Sequence, residues 1–249
     1  MSYTSFAAFY DSLQSDVMYS QRTDYIAELF KKYDRLPTQL LDVACGTGGF
    51  SLQFAKRGVS VIGADPSPEM LSFARMKADR EGLDLLFICQ SANETELPEM
   101  VDGAICCLDS INHITDKREL ASSFKKISRA IVPGGLFIFD VNTVYKHREI
   151  LSGNTFIIEN DDVYCVWQNS NCEKNGTVGI CLDFFGKKGD GSYIRSTEEF
   201  SERAYTDDEL KSMLCAAGFE VEAVLGDMSF KAPRKCEERV IYVVKKRNG

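Results

Sequence analysis

Two aspartates that each end an apolar run are the residues whose type and position most directly suggest chemistry. Asp42 follows Leu40–Leu41 and leads into the glycine-rich stretch Ala44–Gly49, and Asp65 ends a second apolar run that begins at Val59. Glycine accepts a positive φ and lets a ligand lie directly against the backbone. A carboxylate at the end of the second strand can accept both hydroxyls of a ribose. The two stretches therefore predict a strand–loop–helix unit that binds a nucleotide-like cofactor.

The spacing of the glycines separates two cofactors that such a unit can bind. The dinucleotide fingerprint is G-x-G-x-x-G; Gly46 and Gly48 fit its first two glycines, but Ser51 occupies the third position. The pattern D-x-A-x-G-x-G, which ends at Gly48, instead resembles motif I of the class I S-adenosylmethionine (SAM)-dependent methyltransferases, with Ala44 in place of the first glycine. We therefore expect SAM and keep NAD as the alternative, because NAD sites also use an acid at the position of Asp65.

The resemblance to this family implies cofactor contacts along the ends of the predicted strands. Family members commonly bind the adenine amino group with an aspartate after the third strand. Here Ser91 stands there, whose hydroxyl can accept the same bond, and the N–H of Ala92 can reach a ring nitrogen. Met70 either packs on the adenine or belongs to the core. The expected cofactor contacts are Tyr19, Asp42, Ala44, Gly46, Thr47, Gly48, Asp65, Pro66, Met70, Ser91, Ala92, Leu108 and Asp109.

The most polar cluster after any predicted strand is Leu108–His113, which follows the fourth strand. Carboxyl ends of parallel strands face the ligand crevice of an open α/β sheet, so Asp109 and His113 are the candidate catalytic residues. For His113, a packing or helix-capping role is the alternative. Methyl transfer depends mainly on alignment and requires a base only where the acceptor must lose a proton. The sequence lacks the N/D/S-P-P-Y/F motif of enzymes that methylate amino groups of nucleic acids or glutamine.

Helix and strand signals around these residues predict a mixed α/β fold. Five strands alternate with helices up to a fifth strand at Leu136–Asp140, and a helix near the end of the chain precedes two final strands. Capping residues mark three helix starts: Ser67 with Pro68, Asp116, and Thr206 with Glu209. The resemblance implies a Rossmann-like doubly wound seven-stranded sheet of order 3-2-1-4-5-7-6, with the last strand antiparallel.

Residues 1–36 precede the first strand and are rich in aromatic side chains. Apolar residues at helical spacing predict a helix from about Thr23 to Tyr33 that packs on the sheet. We expect residues 1–36 to form an N-terminal helical cap on a SAM-binding core made of residues 37–144 and 204–249. The side chains considered as lid contacts are Tyr10, Asp16 and Tyr19.

Residues 145–203 differ in character, because their apolar residues recur with a period of two. Turn signals at Asn160–Asp162, Asn175–Gly176 and Gly186–Gly191 separate the alternating runs. We expect a small antiparallel β insert of three or four strands. Two roles stay open for it: a substrate lid beside the crevice, or a surface for homodimerisation.

Composition narrows the class of protein. The 249 residues carry a net charge of -8, which argues against nucleic acid as a partner, because phosphate contacts dominate that binding. Nine cysteines without a C-x-x-C pair indicate the reduced thiols of a cytoplasmic protein, and two histidines give no metal-ligand spacing. No apolar run approaches the ~18–20 residues of a membrane span.

We therefore expect a SAM-dependent methyltransferase that transfers a methyl group to a small-molecule acceptor. Two alternatives stay open: a protein or RNA methyltransferase, and a SAM-binding subunit without its own turnover. A basic substrate groove would favour the first alternative, and a filled substrate pocket would favour the second.

Overall fold

The computed structural model describes residues 17–248, which begin with alternating helices and strands. The elements of this first half are α1 (Tyr19–Tyr33), β1 (Gln39–Val43), α2 (Gly49–Ala55), β2 (Ser60–Asp65), α3 (Pro68–Glu81), β3 (Leu86–Cys89), β4 (Val101–Cys106) and α4 (Lys117–Ala130). A 3₁₀ turn at Ser110–His113 connects β4 to α4. Two predicted caps are confirmed: the Ser67 side chain accepts the N–H of Met70, and Asp116 accepts two N–H groups at the start of α4.

The second half begins with the longest strand of the large sheet. Its elements are β5 (Ile131–Asn142), a π-helical turn (Lys146–Leu151), β6 (Thr155–Glu159), β7 (Val163–Asn169), β8 (Thr177–Lys187), β9 (Tyr193–Arg203), α5 (Asp207–Ala216), β10 (Phe219–Gly226) and β11 (Arg239–Lys246). Thr206 and Glu209 form the predicted capping box of α5, because each side chain accepts the backbone N–H of the other residue.

Seven strands form one sheet in the order β3-β2-β1-β4-β5-β11-β10. Strands β1 to β5 are parallel, and β11 runs antiparallel to both of its neighbours. The predicted Rossmann-like fold and its order 3-2-1-4-5-7-6 are therefore confirmed, with β10 and β11 as the sixth and seventh strands. The order reverses between β1 and β4, and sheets of this kind bind ligands at the carboxyl strand ends beside such a reversal.

Helices cover both faces of this sheet. Successive residues of a strand point to opposite faces: on β5, Phe137 and Phe139 pack in the cluster that contains the apolar residues of α4 and α5. Ile138, between them, packs in the cluster that contains those of α1 and α2. The two buried layers hold the strand ends in a fixed arrangement at one edge of the sheet.

Strands β6 to β9 form a second, antiparallel sheet in sequence order, which confirms the antiparallel strands predicted for residues 145–203. One face of this sheet has its own apolar core. The buried amide of Asn112 joins it to the large sheet by donating to the carbonyls of Asn142 (3.1 Å) and Arg203 (3.0 Å). The small sheet therefore lies beside the carboxyl ends of β4 and β5.

The first helix begins earlier than its apolar spacing predicts. α1 starts at Tyr19 rather than at Thr23, so Tyr19 lies in the first helical turn and not in an irregular stretch. Its ring packs against Phe50 of α2 with the ring centroids 5.1 Å apart, which extends the apolar contact of the helix by one turn. Tyr10 and Asp16 lie outside the described residues.

The fifth strand also begins earlier than predicted, at Ile131 rather than at Leu136. Ile131 caps the preceding helix, has extended backbone dihedrals and pairs with Val101 of β4, so the strand begins directly where the helix ends. Pro133–Gly135 therefore lie within the strand, where a register shift in the β4–β5 pairing accommodates them.

Candidate cofactor and acceptor site

A cavity of about 1040 Å³ opens at the carboxyl ends of the parallel strands. Loops after β1, β2, β3 and β4 line one side of it, and residues of the small sheet line the other. Small-molecule sites commonly measure roughly 300–1,000 Å³. The cavity is therefore large enough for a cofactor together with a second small molecule.

The glycine loop after β1 contributes Ala44 and Gly46 to the cavity wall. Both residues have a positive φ, of 55° and 54°. A Cβ built on Gly46 meets no protein atom within 4 Å, whereas a Cβ on Gly48 would come within 2.8 Å of the Leu52 side chain. Gly46 therefore presents bare backbone to a ligand, and Gly48 is required for packing behind the loop.

Asp65 is buried at the end of β2 and lines the cavity. Its carboxylate accepts the N–H of Gly46 at 2.9 Å and the N–H of Ser67 at 2.9 Å, one at each oxygen. Each oxygen keeps a further lone pair for a hydroxyl donor. Burial raises the pKa of Asp65 above its ordinary value, and these two hydrogen bonds act against the rise. The carboxylate both fixes the glycine loop and remains able to accept the hydroxyls of a ribose.

Asp42 has a different position from that expected of a cofactor contact. Its side chain is buried, does not line the cavity, and accepts the hydroxyl of Ser51 at 2.5 Å. Burial raises the pKa of Asp42 to about 7, while the bond from Ser51 acts against the rise. Because Ser51 lies in the first turn of α2, Asp42 connects β1 to the helix that follows the loop and shapes the loop from behind.

Three further residues of the expected cofactor set lie behind the cavity wall rather than in it: Tyr19, Thr47 and Gly48. Thr47 is buried. The Tyr19 ring covers Gly49 so closely that a Cβ on that glycine would collide with it. Tyr19 therefore supports the loop from the α1 side, whereas Gly48 packs against Leu52 of α2 and Ala74 of α3.

The adenine-side candidates Pro66, Met70, Ser91 and Ala92 do line the cavity. The Ser91 hydroxyl lies 2.5 Å from the Glu94 carboxylate and 2.6 Å from the side-chain oxygen of Asn93. Its single proton is therefore committed to an acceptor within its own loop, and it faces a ligand as an acceptor. Met70 is buried at the start of α3 and also reaches the cavity, which combines the two roles considered for it.

The turn after β4 is held in an unusual backbone conformation. Leu108 and Asp109, which both line the cavity, have φ values of 56° and 52°. The buried carboxylate of Asp140 accepts the N–H of both residues, at 2.8 and 2.7 Å. Strained conformations of this kind persist where the surroundings over-determine them, and they cluster at functional sites.

Arg239 of β11 connects this turn to the rest of the sheet. Its guanidinium lies 2.8 Å from Asp109 and 3.1 Å from Asp140, and the Asn142 amide donates to Asp109 at 2.5 Å. Burial acts to raise the pKa of Asp109, but Arg239, followed by Lys146, more than offsets this, so the pKa lies below its ordinary value. A carboxylate held in this way is a weak base, and Asp109 contributes to the site chiefly as a fixed hydrogen-bond acceptor.

His113, the other candidate catalytic residue, lines the cavity at the end of the 3₁₀ turn. Its ring stacks on Phe200 of β9 with the centroids 5.0 Å apart. Its Nε2 lies 3.6 Å from the carboxylate of Glu202, also of β9, which is 4 % exposed. The structure therefore brings His113 and Asp109 to one cavity but gives them different partners.

The small sheet contributes an apolar wall to the same cavity. The side chains involved are Ile158, Cys165, Trp167, Leu182 and Phe200. The indole N–H of Trp167 donates to Asn169 at 2.8 Å, which fixes the ring. The period-two pattern of residues 145–203 predicts that apolar side chains of one strand, such as Cys165 and Trp167, share one face of the small sheet. The sequence alone does not predict that this face lines the cavity.

Sequence reasoning missed three residues that organise the site: Asp140, Glu202 and Arg239. Asp140 had a recognisable signal, because it is a third acid near the end of a predicted strand. Glu202 and Arg239 had none, since their partners lie 55 to 130 positions away along the chain.

Within residues 17–248, no group of three or more histidine, cysteine, aspartate or glutamate side chains could hold a metal ion. The same residues contain no helix that is long and apolar enough to cross a membrane. All nine cysteines lie in this part of the chain and are free thiols.

A doubly wound sheet, a glycine loop open to a cavity, and a second-strand acid that can bind a ribose together define a class I SAM-dependent methyltransferase. A family model described as a methyltransferase domain matches residues 40–135. GWCH70_2453 of Geobacillus sp. (strain WCH70) and YqeM of Bacillus subtilis (strain 168), both named as methyltransferases, are each 32% identical over 247 residues. These matches cover 99% of this chain and 100% and 98% of the two relatives.

Among solved structures, a SAM-dependent methyltransferase from Clostridium acetobutylicum is 32% identical to this chain, with a TM-score of 0.90 and 99% of both chains covered. The chain belongs to the family of SAM-dependent methyltransferases. Its cofactor is SAM, and the NAD alternative is set aside.

Proposed function

We propose that the protein methylates a small-molecule acceptor bound between the cofactor loop and the small sheet. The observation that carries this proposal is the continuity of the cavity, which extends from Gly46 and Asp65 to Trp167 and Phe200. A large protein or RNA substrate would reach the cofactor through an open groove, and a net charge of -8 gives no general attraction to RNA.

The residues present fit SAM at the strand ends. Asp65 would accept the ribose hydroxyls, Gly46 would allow the ligand to approach its backbone, and the adenine would lie beside Met70 and Ala92. SAM supplies an electrophilic methyl group on a sulfonium. The volume that remains beside the small sheet supports turnover over a role as a SAM-binding subunit alone.

The apolar wall supports the lid role for residues 145–203. Trp167, Leu182 and Phe200 present apolar surface to the cavity, and Asn112 ties the sheet to the large sheet. Water exclusion beside the reacting atoms would follow from this arrangement. In this proposal, residues 37–144 and 204–249 are the cofactor-binding core, and the free thiols are consistent with a cytoplasmic enzyme.

Calorimetry with SAM and the variants Gly46→Val and Gly82→Val tests the cofactor seat. Both glycines have a left-handed φ, 54° and 65°, and open space around a built Cβ, but Gly82 caps α3 outside the cavity. We expect SAM to bind the wild type in the micromolar range and Gly82→Val equally well, whereas Gly46→Val loses binding because its side chain fills the cofactor space. Equal affinity of all three proteins for SAM would contradict the placement of the cofactor beside Gly46.

The acceptor is sought by measuring S-adenosylhomocysteine release with panels of amines, hydroxyls, thiols and carboxylates. A saturable increase with at least one small molecule, lost in Gly46→Val, is the expected result. Release only with added protein or RNA would replace the small-molecule proposal by the alternative class of acceptor.

A further inference from the structure

The loop between β10 and β11 carries a cationic segment. Residues 228–235 contain three cations and no acid, in a chain whose net charge is -8. Two of these cations, Lys231 and Lys235, are exposed, and so are Lys31 and Lys32 in the last turn of α1. None of these four lysine side chains has a carboxylate within 4.0 Å in the part of the chain that the structure describes. We call the four lysines the basic cluster.

Two exposed apolar side chains accompany the basic cluster. Met228 is 37 % exposed and Phe230 is 44 % exposed. The ring of Phe230 packs against that of Tyr25 of α1 with the centroids 5.1 Å apart, and the Tyr25 hydroxyl donates to the carbonyl of Ser229 at 2.6 Å. Lys32 Nζ lies 5.3 Å from the centroid of the Phe230 ring. The loop is therefore fixed against α1, with exposed apolar surface and positive charge side by side.

The acids of this region balance the basic cluster only in part. Asp227 lies in an ion pair with α1 at 2.8 Å, and Glu237 lies in an ion pair with Arg234 at 3.1 Å. Glu238 of the loop and Glu28 of α1 remain as exposed acids. Four lysines and two glutamates thus set the local charge. Acids farther away have little effect, because the Debye length is about 10 Å at 0.1 M salt.

We propose that the basic cluster docks on the surface of a bilayer that contains anionic phospholipids, with Phe230 and Met228 entering the headgroup region. Peripheral binding of this kind combines buried apolar area with attraction to anionic lipids. Each lysine near such a surface contributes about fivefold to the partition coefficient. Arg234 and Cys236 of the same loop line the cavity, so docking brings the rim of the cavity to the lipid surface. The inference goes beyond the proposed function and holds for any acceptor.

The surroundings of Phe230 favour a bilayer over single-stranded nucleic acid, the other polyanion that a basic and aromatic surface can bind. Nucleic-acid sites of that type stack bases on open aromatic faces. Here the Lys32 ammonium lies over the ring, and the Tyr25 ring packs against it at an interplanar angle of 54°. The ring is therefore not an open stacking surface, whereas its exposed part suits an apolar medium.

Co-sedimentation with lipid vesicles tests the docking with the full chain and without SAM or an acceptor, so its outcome is independent of the proposed function. Vesicles of mixed phosphatidylglycerol and phosphatidylcholine are compared with vesicles of phosphatidylcholine alone. We expect binding to the mixed vesicles only, and release as salt is raised, because screening weakens the attraction. Absence of binding to the mixed vesicles would overturn the inference.

The double variant Lys231→Gln/Lys235→Gln should lower the partition coefficient about 30-fold, since it removes two cations near the surface. Lys187→Gln/Lys188→Gln is the matched control, because it makes the same change in net charge at exposed positions at the end of β8. The control should bind as the wild type does. Equal partition coefficients for the two double variants would show an effect of net charge alone and would overturn the inference.

Phe230→Trp in a Trp167→Phe background tests the apolar contact, because Trp167 is the only tryptophan of the chain. On mixed vesicles, lipids brominated on their acyl chains should quench the emission of this variant but leave wild-type Trp167 unquenched. Phe230→Ser should lower the partition coefficient about fivefold, in line with the apolar area that it removes. Unquenched emission from vesicle-bound Phe230→Trp would contradict the proposed insertion.

Single-stranded RNA at the same phosphate concentration is the competing polyanion in the sedimentation assay. We expect RNA to leave the protein on the mixed vesicles. Displacement by RNA, together with RNA binding that Lys231→Gln/Lys235→Gln abolishes, would overturn the inference and assign the basic cluster to nucleic acid.

Discussion

The Arg239→Met substitution should destabilise the fold strongly, because it removes the cation that lies between Asp109 and Asp140. The guanidinium is 15% exposed and the two carboxylates are 18% and 9% exposed, at distances of 2.8 and 3.1 Å. Methionine keeps the volume of the side chain but not its charge. Two carboxylates would then lie together in a buried setting without the cation that contacts both of them.

The size of the effect follows from this burial. Removing one partner of a buried ion pair costs about 3–5 kcal/mol, because the remaining charge stays desolvated. Lys211→Ala is the matched surface control: Lys211 lies 2.7 Å from Asp207, but the two side chains are 46% and 51% exposed. Exposed pairs contribute only about 0.2–1 kcal/mol.

Urea unfolding followed by circular dichroism measures both variants. We expect a loss of about 3–5 kcal/mol for Arg239→Met and of less than about 1 kcal/mol for Lys211→Ala. A double-mutant cycle with Asp109→Asn should return part of the loss, because that change removes one of the two unbalanced charges. A loss for Arg239→Met no larger than that for Lys211→Ala would refute the buried-network reasoning.

Three further predictions concern the binding site and its support. Trp167 is the only tryptophan and lines the cavity, so its fluorescence emission should change when an acceptor binds. Trp167→Phe should abolish this fluorescence signal and raise the KM for the acceptor. Replacing residues 145–203 by a short Gly/Ser linker should preserve SAM binding and abolish methyl transfer. Persistent turnover in this variant would exclude the lid role. If turnover persists and light scattering shows that a wild-type dimer has become a monomer, residues 145–203 form a dimer interface. Burial raises the pKa of Asp42 from 3.8 to about 7. Between pH 3.8 and pH 7 the folded protein therefore keeps a proton on Asp42 that the unfolded chain has released. The free energy of unfolding falls as the pH rises through this window. Asp42→Asn should therefore gain stability relative to the wild type from pH 4 to 7, by at most about 1.4 kcal/mol per pH unit, and parallel unfolding curves across that window would contradict this.

The strand-end loops that line one side of the cavity could be predicted from the sequence because their signals are local. The strand-end acids, the glycine loop and the helix caps each lie within a few residues of the element that they mark. Asp42 shows what local patterns leave open: it shares its side of β1 with Leu40, which packs with α2, and this alternation places its side chain beneath the helix rather than in the cavity. The acid of the motif therefore supports the loop in this chain.

The acceptor half could not be predicted in the same way. Glu202 joins two histidines that lie 55 and 89 positions earlier, and Arg239 reaches Asp109 across 130 positions. Such pairings depend on how the small sheet and β11 pack against β4 and β5. The periodic spacing of apolar residues within one helix or strand does not predict this packing. The antiparallel pattern of residues 145–203 predicts strands, but not which face turns toward the cofactor.

The most direct test of the central claim is transfer of a labelled methyl group from SAM into a cell extract that has been separated into small-molecule, protein and nucleic-acid fractions. We predict label in the small-molecule fraction, with S-adenosylhomocysteine formed in equal amount, and none when Gly46→Val replaces the wild-type protein. Gly82→Val should transfer label as the wild type does. Label that appears in the protein or nucleic-acid fraction instead, or label that persists with Gly46→Val, would contradict the account.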